Sequence, residues 1–227
     1  MVPLERKGFG LPPDLCQTPP LAHPPLRWNL QSLAASRQVL EARCAEALGA
    51  LEMASESDQL SFLKDTRALH GSLFAELAPP CLPEAAGTYR GTMGSRLQSA
   101  ERAVFLARRA PGLRSRDMCC PAAEVGSAMT ALAQRIEALW LAPPLDDTAF
   151  AAMAEITHKF FRIHPFLDGN GHIYRIMMAV IGPRFGLRPR TIWTLHLRPY
   201  DHQMSLCLQW YDDYPELLAC YLRKWFA

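Results

Sequence analysis

The chain has 227 residues, 49% of them hydrophobic and 20% charged, with a net charge of +2. That balance suits a folded domain with a sizeable core and argues against a disordered chain, and near-neutrality without a basic stripe argues against a nucleic-acid partner. No apolar run approaches the ~20 residues a membrane helix needs, and the seven cysteines, odd in number and without Cys-x-x-Cys spacing, suit a reducing compartment better than a disulfide framework or a zinc site.

Residues 1–28 form an irregular arm rich in proline (Pro12, Pro13, Pro19, Pro20, Pro24, Pro25), because proline removes backbone donors and resists helix. The arm has no apolar signal core. A cytoplasmic location is therefore expected, with secretion as an effector left open by routes that use no such core. Residues 29–227 read as one helical domain. Leu30, Leu33, Leu40, Cys44, Ala47, Leu48 and Leu51 recur at helical spacing behind a cap at Asn29. A second helix is expected over 58–77, ended by Pro79, Pro80 and Pro83. The stretch 102–119 holds a short apolar run, a turn and an alternating segment, which predicts a β-hairpin. Helices follow over 122–141 and 146–163, then over 171–181, whose near-continuous apolar character marks it as central. One or two more fill 199–226, with a break at Pro215. Apart from the hairpin the pattern is all-α.

Between the last long helix and the central one lies HPFLDGNGHIYR, residues 164–175. Pro165 disfavours helix at His164, Phe166 is the natural core anchor, and Gly169 and Gly171 permit backbone angles closed to other residues. Asn170 tolerates a left-handed conformation or caps the next helix. The product is a turn of outward N–H groups at a helix start, which is an anion cradle. Arg175 lies one turn on and can pair with a further phosphate. Asp168 beside a phosphate chain is a natural magnesium ligand. His164 can take a proton from an attacking hydroxyl. Each feature alone is weak; gathered in one loop they match phosphoryl chemistry.

These residues resemble the Fic family motif, His-x-Phe-x-Asp/Glu-Gly-Asn-Gly-Arg-x-x-Arg, through His164, Phe166, Asp168, Gly169, Asn170, Gly171 and Arg175. LHGSLFAEL and GTYR (His70, Phe74, Gly87, Tyr89, Arg90) resemble the family's upstream segments, and the resemblance covers about 58–210. It implies a helical fold with a β-hairpin flap beside the active site, and transfer of a nucleoside monophosphate, most often AMP from ATP, to a protein hydroxyl. Carried over by position, His164 is the base and Asp168 holds Mg2+. Gly169, Asn170 and Gly171 cradle the inner phosphates, and Arg175 meets the γ-phosphate. The flap near 102–119 docks a target protein and presents its Tyr, Thr or Ser. Gly171 favours nucleotidyl transfer over the terminal-phosphate transfer of a relative that lacks this glycine.

His172 stands where the motif has its first arginine. Three expectations follow: a weaker phosphate contact, a different donor or phosphate-linked group, or a non-catalytic nucleotide-binding module. The family's inhibitory Ser/Thr-x-x-x-Glu-Gly/Asn helix finds no match. Ser72 has Glu76 four residues on, but Leu77 follows it. Restraint, if any, is expected from a separate inhibitory partner or from the 29–54 helix. His70 and His158 are expected to be structural, and His196 and His202 lack ligand-like spacing.

Overall fold

The computed structural model describes residues 34–100, 103–105, 116–190 and 202–227. The proline-rich arm, the Asn29 cap, the hairpin turn and His196 lie outside the described residues. The fold is helical. α1 (Ala34–Met53) buries Leu40 and Cys44 and packs on the helices Arg67–Phe74 and Asn170–Arg184.

The single helix expected over 58–77 is two: α2 (Glu56–Lys64) and α3 (Arg67–Phe74). Local side-chain chemistry causes the break. The Asp65 carboxylate accepts the Arg67 backbone N–H at 3.0 Å and pairs with its guanidinium, offering the chain an alternative to helix. Thr66 is buried with its hydroxyl 3.2 Å from the Tyr89 hydroxyl. The start of α2 is set by Ser55, whose Oγ accepts the Asp58 N–H at 3.2 Å.

Two three-residue strands, β1 (Ala103–Phe105) and β2 (Arg116–Met118), pair antiparallel with Ala103 opposite Met118. A 3-10 turn over Ala122–Glu124 leads into α4 (Val125–Leu141), which buries Val125, Met129, Leu132, Ala133, Ile136 and Leu139, the face its periodicity marks. α5 (Asp147–Ile163) packs on α4 and on the helices Asn170–Arg184 and Pro215–Leu222. α6 (Asn170–Arg184) is buried at every position from His172 to Gly182. It runs three residues beyond the expected end, carrying Pro183 in its last turn at the loss of one N–H donor. α7 (His202–Gln209) and α8 (Pro215–Leu222) complete the chain, with Pro215 opening α8. No helix among the described residues is long and apolar enough to cross a membrane. The six described cysteines are unbridged.

Candidate active site

The loop between α5 and α6 is where the expected chemistry gathers. α5 ends at Ile163, and His164 adopts a left-handed conformation, φ 49° and ψ 62°, with its N–H donated to the Phe160 carbonyl at 2.9 Å. A non-glycine residue there costs about 1–2 kcal/mol, so its surroundings must hold it. They do so through backbone atoms. Arg90 Nε donates to the His164 carbonyl and Arg90 Nη2 to the Ile163 carbonyl, each at 2.8 Å, and the Arg90 backbone N–H donates to the Pro165 carbonyl at 2.8 Å.

Beyond Pro165 the loop closes on itself. Phe166 is fully buried. Its N–H donates to Asn170 Oδ1 at 3.0 Å, while Asn170 Nδ2 donates back to the Phe166 carbonyl at 2.8 Å. The Asn170 side chain therefore serves as the loop's clasp, which leaves its backbone for any ligand. The cap position of α6 is Gly169, at φ 77°, rather than Asn170. The Gly169 N–H donates to its neighbour Asp168 Oδ1 at 2.7 Å. In the first turn of α6, the His172 and Ile173 N–H groups turn back to the Gly169 carbonyl at 3.0 and 3.2 Å. Helix geometry leaves the amides of Asn170 and Gly171 without an intrahelical acceptor.

His70 supports this loop from α3, and sequence reasoning missed how. The Gly87 N–H donates to its Nδ1 at 2.9 Å, so the proton sits on Nε2, which donates to the Asp168 carbonyl at 3.0 Å. Its ring stacks on Phe166 with centroids 3.7 Å apart and lies 4.6 Å from that of Phe74. Burial holds its pKa down at about 4. His158 on α5 is also held at about 4, mainly by burial and against the pull of Asp212. Both histidines are neutral in the fold but take protons readily once unfolded. Their contribution is complete above pH ~6.5 and is lost as pH falls towards 4. The thermal midpoint should therefore drop between pH 6.5 and 5, above the carboxylate range, by the equivalent of roughly 1–2 kcal/mol for His70 and by less for His158, which solvent screens. Melting curves across that window check this, and a flat midpoint refutes it.

The proposed phosphate contacts are less accessible. His172 is 9% exposed and meets Phe74 edge-on at 6.0 Å. Arg175 is 1% exposed, beneath α1, where its charge acts on the thiol of Cys44. Burial pushes that thiol up to about 11, with Arg175 lowering it and Glu41 raising it. His164 and Asp168 keep partial exposure. No cluster of three or more His, Cys, Asp or Glu among the described residues could hold a metal. A single carboxylate such as Asp168 does suit Mg2+, which is held by one or two carboxylates and keeps phosphates and water as its other ligands. A cleft of about 750 Å³ between α1 and α2–α3 is lined by Arg43, Ala47, Leu51, Phe62 and Leu69 and by no residue of the 164–175 loop. It is not the site of this chemistry.

No curated protein matches the chain. The N-terminal Fic domain of a cell filamentation protein from Bartonella quintana, described as a VirB-translocated Bep effector, shares the fold at a TM-score of 0.50 and 18% identity, over 86% of this chain and 85% of that one. The same domain with bound ADP gives 0.50 and 18%, over 87% and 88%. The sequence model of the Fic/DOC family matches residues 59–181, taking in α3, the hairpin strands and the whole motif loop. The chain belongs to the Fic/DOC family.

Proposed function

We propose that the protein transfers AMP from ATP, or a nucleoside monophosphate from a related triphosphate, to a Tyr, Thr or Ser hydroxyl of a target protein. The hydroxyl oxygen attacks the α-phosphorus in line. Its proton passes to the imidazole of His164, the bond from the α-phosphorus to the bridging oxygen breaks, and pyrophosphate leaves. The backbone amides of Asn170 and Gly171 at the start of α6 meet the inner phosphates, where free donors and the helix end act together, and the Gly169 amide joins them once the Asp168 carboxylate turns to a metal. His172 adds a contact to them, and Arg175 takes the γ-phosphate. Asp168 would hold a magnesium ion brought in with the nucleotide, and such an ion neutralises charge on the departing pyrophosphate. The target lies along the 102–119 hairpin as an added strand.

One observation carries the reading. Within a loop otherwise built of buried scaffold, the residues left partly exposed include the two assigned to base and metal, His164 and Asp168. The ADP bound by the Bartonella quintana domain supports a nucleotide as the ligand. Incubation with ATP labelled at the α- or the γ-phosphate tests it. Label on protein from the α-position alone is the expected outcome; label from the γ-position alone would mean a kinase.

The burial of His172 and Arg175 favours a second reading, a nucleotide-binding module held inactive until a partner shifts α1. Nucleotide binding without transfer would identify it. In either case a bound triphosphate stabilises the protonated form of His172, so nucleotide affinity should weaken as pH rises from 6 to 9. His172→Arg should remove that dependence. Identical profiles for the two proteins would eliminate the contact.

A further inference from the structure

We infer that Arg90 is a positioning residue that ties both feet of the hairpin to the backbone of His164, so that the target-docking strand and the catalytic base are set by one side chain. The inference rests on the function proposed above for what the hairpin and His164 do, but the coupling itself is a property of the free protein.

Arg90 is fully buried, and its guanidinium donates to four backbone carbonyls from three separate segments. Nη1 reaches Ala100 at 2.8 Å, three residues before β1. Nη2 reaches Cys120 at 3.1 Å, two residues after β2, and Ile163 at 2.8 Å. Nε reaches His164 at 2.8 Å. The backbone laces the same junction. The Cys120 N–H donates to the Arg162 carbonyl and the Arg90 N–H to the Pro165 carbonyl, both at 2.8 Å. At Gly91 the chain leaving the hairpin passes so close that an added Cβ would lie 1.6 Å from the Ala122 carbonyl oxygen. The planar fork can span acceptors that lie on different sides. A lysine has three donors on one atom and cannot serve four carbonyls of three segments. Charge alone is therefore not what the position requires, and a displaced fork would move the hairpin and His164 together.

Amide exchange followed by NMR, without nucleotide, tests this. Arg90→Lys should speed exchange at the amides of Cys120, His164 and Phe166 by at least ~10-fold relative to α4 and α8, and should shift the imidazole signals of His164. Faster exchange at the hairpin alone, or an equal rise in every helix, would overturn the coupling, as would unmoved His164 signals. If the variant does not fold, the wild type decides. A shared opening rate for the amides of Arg90, Cys120 and His164 supports the inference, and rates differing more than ~10-fold overturn it. Failure of label transfer in the wild type would count against the proposed function and leave this coupling standing.

Discussion

His164→Ala is expected to lower label transfer by roughly 10²- to 10⁴-fold, the usual worth of a positioned general base, while the protein stays folded. The separation of chemistry from structure follows from which atoms are held. Two backbone bonds hold this position: the N–H to the Phe160 carbonyl and the carbonyl to Arg90 Nε. Alanine keeps both. It also keeps the left-handed conformation at φ 49°, with a strain similar to that already present. Removing the imidazole should thus change the melting midpoint by only a few degrees. His164→Gly offers a sharper contrast. It loses the same base but relieves strain of about 1–2 kcal/mol, so it should melt no lower than the alanine variant and be just as inactive. Nucleotide affinity should survive in both, because the amides at the start of α6 are untouched. Full transfer by either variant would remove His164 from the mechanism and, with it, the assignment of the loop as the reacting centre.

How far the sequence made this site readable depends on the range of each interaction. The helix faces of α4 and α5 were plain because periodicity is local: Val125, Met129, Leu132 and Ile136 recur on one side, and all four are buried. The loop was readable because its turn chemistry is local too. What local pattern cannot show is a buried polar side chain whose partners are distant. Arg90 joins carbonyls 10, 30, 73 and 74 residues away, and nothing around it in GTYR separates it from a surface arginine. His70 is similar, since its acceptor on Asp168 lies 98 residues on. The break between α2 and α3 was missed for the opposite reason. Helical apolar spacing continues through Leu60, Leu63, Leu69 and Leu73, and a short-range competition at Asp65 overrides it. The start of α2 was placed at 58 rather than 56 because the Ser55 cap on the Asp58 N–H was not read from the sequence. The burial of Arg175 is again long-range, because the Cys44 thiol that feels its charge comes from α1, which packs on α6.

Gly169→Ala is the substitution expected to damage the folded loop most. Two independent costs meet there. The backbone is left-handed at φ 77°, where a Cβ adds about 1–2 kcal/mol. There is also no room. The new Cβ would lie 2.5 and 2.6 Å from Cε2 and Cζ of Phe74 and 2.9 Å from Nε2 of His70. Neither neighbour can step aside cheaply. Phe74 is fully buried between His70 and the edge of His172, and His70 is pinned by bonds at both ring nitrogens. Overpacking of this kind costs roughly 1–3 kcal/mol. The sum, roughly 2–5 kcal/mol, corresponds to a midpoint lowered by about 5–20 °C in a chain of this size. The loop can escape only by moving the Asp168 carbonyl off His70, which displaces both the proposed magnesium ligand and the first amides of α6. Nucleotide binding should therefore fall together with stability. Gly126→Ala is the matched control. It lies in α4 with nothing within 4 Å of the new Cβ, so it should raise stability by about 0.5–1 kcal/mol and leave binding unchanged. If the two variants melt and bind alike, the loop is not supported from beneath by His70 and Phe74, and the geometry on which the site depends is wrong.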